Sequence, residues 1–248
     1  MKRIKGFLLT VALTIIFNIS AFAASGFEFL ANANIGLSMG IPTKSMKDDG
    51  LKKGYGFDGE ATFQFGYAFQ VRNNFGISVL GELGYSMTSY GIYGKINAVD
   101  ILESMLGVSF GDLANNKAAN ISFALDNTFY NIQLGLFPKL NFGAFSIGIG
   151  GGVKIPISCE SMLTIAGKEF ETKLTRGDIV DMFNPPIFGY VKTSLDYSFY
   201  ITDKIAFKIG LYLGYDIMKF KANEGKDEYG GTLNVGLEFG WRFGPMHN

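Results

Sequence analysis

Residues 57 to 70 change character at every second position. Phe57, Gly59, Ala61, Phe63, Phe65, Tyr67 and Phe69 fall on one side of an extended strand, and Asp58, Glu60, Thr62, Gln64, Gly66, Ala68 and Gln70 fall on the other. Such a ribbon has one greasy face and one small or polar face, and the chain repeats the pattern in eight stretches. Beyond the N-terminal region no segment is long and apolar enough for a spanning helix. Charged residues make up 18%, against roughly 25% in soluble domains, while aromatics reach 15% and glycines number 33. In lipid only helices and closed barrels satisfy every backbone group. The expected fold is all-β: an eight-stranded antiparallel up-and-down transmembrane β-barrel.

The N-terminus carries Lys2, Arg3 and Lys5, an apolar run from Gly6 to Ile19, and the small-x-small site Ala21-Phe22-Ala23. This reads as a secretory signal peptide, residues 1–23, followed by the barrel at 24–248. Its removal takes three positive charges from a balance of 22 against 22 and leaves a net of about −3. That balance offers no nucleic-acid surface. Cys159 is the only cysteine, so no intrachain disulfide forms in the oxidising compartment that an exported chain enters.

The eight strands are expected at about Phe27–Ile41, Tyr55–Val71, Phe75–Met87, Ile121–Leu136, Phe145–Ile157, Ile187–Tyr200, Phe207–Tyr215 and Thr232–Phe243. The fourth changes phase, since Ile121, Phe123 and Leu125 keep one parity and Tyr130, Ile132 and Leu134 the other. A bulge near Asp126 to Phe129, or a strand that starts later, accounts for it. Tight turns are expected at Arg72–Asn74, Phe137–Lys139 and Thr202–Lys204. Long connections are expected at Thr43–Gly54, Ser89–Asn120, Ser158–Pro186 and Lys219–Gly231. Short links on one rim and long ones on the other are the outer-membrane layout. Aromatic girdles are expected from Phe69, Phe75, Phe142, Phe199, Tyr200, Trp241 and Phe243 on the turn side, and from Tyr85, Tyr90, Tyr215 and Phe220 on the loop side. In the loops, Val99, Leu102, Met105 and Leu106 recur at helical spacing, and Leu163–Ile165 faces Phe170–Thr172 like a hairpin.

Strand eight ends Phe239-Gly240-Trp241-Arg242-Phe243, which is similar to the terminal strand read by the barrel-assembly machinery. With the strand pattern and the signal peptide, the chain resembles the small bacterial outer-membrane barrels of the OmpX and OmpA membrane-domain type. That resemblance implies insertion by the assembly machinery, outer-membrane lipid around the barrel, and a location in the bacterial outer membrane.

Periodicity alone does not say which face points inward, so a soluble periplasmic barrel holding an apolar ligand is the rival. The polar face repeats Gly, Ser, Ala and Asn, small residues suited to a narrow lumen, where a soluble exterior is rich in Lys and Glu. That face also carries Glu28, Asp58, Glu60, Glu82, Asp196, Asp216 and Glu238 against Lys154, Lys192, Lys208 and Arg242, and buried charges need partners. A lumen charge network is expected. Eight strands leave room only for side chains, which argues against an open pore and against an active site there.

No catalytic residue, cofactor or metal is expected. The single histidine, His247, lies past the last strand on the turn side, and one Cys with one His does not make a zinc site. Phosphate-binding Gly-Lys-Ser/Thr loops are absent. Arg176-Gly177-Asp178 matches an adhesion tripeptide, although the favoured reading has Asp178 capping a helix from Ile179 to Phe183. The function expected is a structural or surface-interaction scaffold presenting loops to host or envelope ligands, with a narrow or gated pore as the alternative.

Overall fold

The computed structural model describes residues 25–97, 120–165, 167–221 and 227–245. The expected signal peptide, the helical spacing at Val99 to Leu106 and His247 lie outside them. Strands β1 (Gly26–Ile41), β3 (Tyr55–Arg72), β4 (Phe75–Asn97), β5 (Asn120–Leu136) continued by β6 (Lys139–Phe142), β7 (Phe145–Ile165), β9 (Phe188–Thr202), β10 (Ile205–Phe220) and β11 (Glu228–Phe243) form the wall. Each pairs antiparallel with the next, and β1 pairs with β11 from Phe29↔Phe243 to Ile41↔Gly231, so among the described residues eight strands close the ring. Closure leaves no unpaired edge in the lipid zone. On the loop side stand the short β2 (Lys52–Lys53), β8 (Lys168–Leu174), and two helices, α1 (Lys44–Asp48) and α2 (Arg176–Met182).

The faces are sorted as a membrane barrel requires. Phe63, Ile149 and Leu211 are 65%, 64% and 54% exposed, whereas Glu60 and Lys208 are buried inside. A soluble barrel would invert this, and the apolar-ligand alternative falls with it. Outward aromatics frame the band: Phe69, Phe142, Phe199, Trp241 and Phe243 near the turns, Tyr55, Tyr85 and Tyr229 near the loops. Three expected girdle residues point inward instead. Tyr200 is a lumen residue bonded to Arg242, and Tyr90 and Phe220 pack in or against an apolar cluster at the loop-side mouth.

Two expectations about the wall are corrected. Phe137–Lys139 is no turn, because the chain reverses at Gly143–Ala144. Pro138 lacks an N–H and interrupts the pairing, yet Phe137 N donates to Leu80 O at 2.7 Å and the strand runs on, sending Lys139 and Asn141 into the lumen. Nor is there a bulge in β5, whose register with β4 is unbroken from Gly81↔Leu136 to Asn97↔Asn120. The bulge lies across from it, in β7, where Tyr130 pairs Ser158 and Asn131 pairs Pro156, leaving Ile157 as the extra residue. One added residue flips every side chain beyond it, which turns Cys159 inward. β5 changes apparent phase because the barrel interior itself changes from polar to apolar near its loop-side end.

Some glycines are fixed by contact. A Cβ on Gly152 would stand 2.0 Å from Leu134 O and 2.5 Å from Gly135 Cα, both backbone. Gly152→Ala is expected to destabilise by about 1–3 kcal/mol, read from the urea midpoint of the barrel refolded in lipid vesicles.

Candidate functional site

Inward positions of neighbouring strands meet as layers, and several of these layers carry buried charges. Nearest the turns, Glu28 of β1 lies 2.6 Å from Arg242 of β11. The Ser78 hydroxyl donates to the same carboxylate, Asn141 Nδ2 donates to Ser78 Oγ at 2.8 Å, and Arg242 Nη1 to Tyr200 OH at 3.0 Å. Above this belt Lys139 pairs with Asp196, Lys208 with Glu238, and Lys208 also approaches Asp196 at 3.6 Å. Phe137, Leu30 and Leu80 form an apolar filling beside them, with the Lys192 ammonium 5.5 Å from the Phe137 ring centre.

The upper layer is the most connected. Lys192 reaches Glu60 at 2.9 Å and Glu82 at 3.4 Å, and Lys154 reaches Asp216 at 2.9 Å and Glu60 at 3.3 Å. Gln64, Gln133 and Tyr190 donate to Glu82, Asn34 donates to Glu60, and Thr232 and Asn234 donate to Asp216. Asp58 has no base within ion-pair distance among the described residues and accepts from Thr88 Oγ1 at 2.9 Å and Tyr212 OH at 2.7 Å. All eleven charged residues expected in the lumen are buried there. Lys139 was missed as a fifth base, since Pro138 read as the end of a strand. Leu140 and Phe142 alternating with Lys139 and Asn141 carry the signal that the strand continues.

These groups are held mainly by one another. A buried charge is stabilised by a close partner and hydrogen bonding, and each lumen base here has an acid within ion-pair distance. The arrangement braces the wall across the lumen, Glu60 tying β3 to both β7 and β9.

A second apolar layer closes the loop-side mouth. Tyr90, Ile92, Phe129, Cys159, Ile179, Phe183, Phe188 and Met218 are buried together, with Phe129, Phe183 and Phe188 in edge-to-face contact at 4.9–5.9 Å. α2 supplies Ile179, and Phe183 follows directly. The helix is capped by Thr175, with Asp178 at its third position. Thr175 N–H and hydroxyl both donate to Asp178 Oδ2 at 2.7 Å. The expected cap residue was one turn too late because the helix begins at Arg176. Arg176 Nη1 donates to Pro156 O and Pro186 O, both at 2.8 Å, which ties β7 to the entry of β9. The tripeptide is therefore engaged in holding the lid: Arg176 by two carbonyls, Asp178 by the cap, with Gly177 between them exposed.

The Thr175 hydroxyl and N–H hold the Asp178 carboxyl below the usual aspartate range. A depressed carboxyl stabilises the helix above its unfolded pKa and loses that contribution as pH falls through the folded value. Amide-exchange protection of Ile179 and Phe183 is expected to be constant near neutral pH and to weaken below about pH 4. Asp178→Ala should show the weakened protection already at neutral pH, with no such transition, and match the wild type at low pH.

Beyond the mouth the wall continues as a protruding sheet. β4 pairs β5 up to Asn97↔Asn120, β5 pairs β7 up to Phe123↔Ile165, and β7 turns back as β8 through Ile165↔Lys168. The expected hairpin is present, with Leu163 opposite Phe170, but Lys168 and Glu169, expected in its turn, are paired residues of β8.

A closed antiparallel ring with an apolar exterior, a filled charged interior and short turns opposite long extensions defines an eight-stranded outer-membrane β-barrel. No family model matches the chain, and no curated protein matches it in sequence. Among solved structures it is similar to the attachment invasion locus protein Ail of Yersinia pestis, at 12% identity and TM-score 0.32, covering 90% of this chain and 100% of that one. It is also similar to the outer membrane protease OmpT of Escherichia coli, at 9% identity and TM-score 0.33, covering 92% and 98%. Neisserial surface protein A is similar at 11% identity and TM-score 0.30, covering 89% and 98%.

Proposed function

We propose that the protein is a non-enzymatic surface scaffold whose protruding sheet receives an extended strand of a host or envelope ligand. The supporting observation is β8. It pairs with β7 alone among the described strands, and six of its 7 residues are exposed. An edge strand turns every second N–H and C=O outward, which gives affinity for any extended chain, while its side chains set selectivity. Here Glu169 and Glu171 alternate with Phe170 and Thr172, a pattern that favours basic residues spaced two apart in the partner. Outer-membrane lipid surrounds the band, and the barrel-assembly machinery is the proposed inserter, reading Phe239 to Phe243.

The test compares adherence of cells displaying the full chain with cells in which Lys168–Leu174 is replaced by Gly and Ser. The replacement should retain heat-modifiable gel mobility and lose adherence. Equal adherence would remove β8 from the function. Steady conductance of the purified protein in a planar bilayer would replace the scaffold reading with a pore.

A further inference from the structure

Across the protruding sheet one row of apolar side chains runs from the loop-side mouth to the outer edge. Ile92 of β4 stands opposite Leu125 of β5, Leu125 opposite Leu163 of β7, and Leu163 opposite Phe170 of β8. Directly opposed residues of neighbouring strands share a face. Ile92 is buried in the apolar cluster, whereas Phe170, at the far end of the row, is 54% exposed. Glu169 and Glu171 flank Phe170 on the opposite face of β8, and both are exposed. We infer that this edge recognises a basic-apolar-basic triplet, an apolar or aromatic residue with Lys or Arg on each side, in an extended segment of the partner. The inference rests on β8 being the receiving edge proposed above and names what that edge takes.

The two parities of an added strand meet different surroundings. A residue set opposite Phe170 continues the row and takes an exposed ring out of water. Its two neighbours point to the other face, beside Glu169 and Glu171. Among the described residues neither carboxylate has an ion pair, and Lys173, the one base on that face of β8, is held by Glu160 at 3.2 Å. Two bases of the partner supply the missing charges, since opposite charges paired across strands are stabilising. Register follows from the alternation: a shift of one residue sets a base in the apolar row and the apolar side chain among carboxylates. The triplet reads the same both ways, so it fits a strand of either direction.

The full chain refolded in phosphatidylcholine nanodiscs is titrated with capped nonapeptides, with empty discs as the control, and backbone amide shifts of Phe170 and Thr172 give the affinity. The peptides are Thr-Ser-Thr-Lys-Phe-Lys-Thr-Ser-Thr, the rearranged Thr-Ser-Lys-Thr-Phe-Thr-Lys-Ser-Thr, which puts both bases on the Phe face, and the charge-reversed Thr-Ser-Thr-Glu-Phe-Glu-Thr-Ser-Thr. Saturable binding is expected for the first, and binding about tenfold weaker for the other two. Glu169, Phe170 and Glu171 are exposed, so the E169Q/E171Q and F170S variants should fold normally and bind the first peptide about fivefold more weakly. Equal binding of the first two peptides, or binding unchanged in both variants, would overturn the triplet and leave β8 as an edge that takes any extended chain. Binding retained after Lys168–Leu174 is replaced by Gly and Ser would remove the edge as well. No saturable shift with any peptide would overturn the triplet, and the adherence comparison decides the edge separately.

Discussion

Lys192→Met is expected to destabilise the barrel by about 3–5 kcal/mol, measured from reversible urea unfolding in lipid vesicles. Lys192 is buried and is the only base within ion-pair distance of Glu82 among the described residues, while Glu60 keeps Lys154 at 3.3 Å. Removing the ammonium leaves Glu82 as an uncompensated charge surrounded by side chains and, beyond the wall, by hydrocarbon. The cost therefore comes from the stranded carboxylate more than from the lost attraction. Adding Glu82→Gln to Lys192→Met should recover part of the loss, since the amide keeps a shape that Gln64, Gln133 and Tyr190 can still surround. A change below about 0.5 kcal/mol in the single variant would mean that water reaches these carboxylates and the lumen is not sealed.

The second large effect is expected on the opposite face of the wall. Leu211 points outward, midway along β10 between Phe207, whose ring packs 5.4 Å from Trp241, and Tyr215. Leu211→Arg should cost about 2–4 kcal/mol in vesicles, because the guanidinium must enter the bilayer midplane. Tyr55→Arg, at the loop-side boundary and 66% exposed, should cost about 0–1 kcal/mol by the same measurement. Equal costs at the two positions would show that no lipid depth gradient acts on this surface. That result would remove the membrane assignment, whatever the shape of the ring.

The strand pattern was legible because alternation is a local property. A residue's parity on an extended chain needs only its neighbours, and the low charge of the outward parity tells which face meets lipid. The inward charges could be listed for the same reason, since Glu60 or Lys208 shares its strand with outward Phe63 or Leu211. Places where the period failed were misread in a consistent way. Ile121, Phe123 and Leu125 looked out of phase although β5 keeps one phase throughout, and the extra residue belonged to β7 at Ile157. Phe137-Pro138 looked like a turn although it is an interruption within a strand. In both cases the sequence shows a change in composition without showing which surface the residue meets.

The sequence by itself determined a closed eight-stranded barrel with its greasy face outward, because in lipid every backbone polar group must be paired and an alternating strand satisfies this only in a ring. It also placed eleven of the buried charges on the inward parity. Which acid meets which base, that Lys139 joins them, that α2 and Phe183 pack in the loop-side cluster, and that β8 pairs with β7 alone among the described strands were decided only by the tertiary structure. Those facts depend on strand register and stagger around the ring, where residues such as Glu60 and Lys192, 132 positions apart, come within 2.9 Å. No local pattern encodes that meeting, because register is fixed by closure of the whole wall.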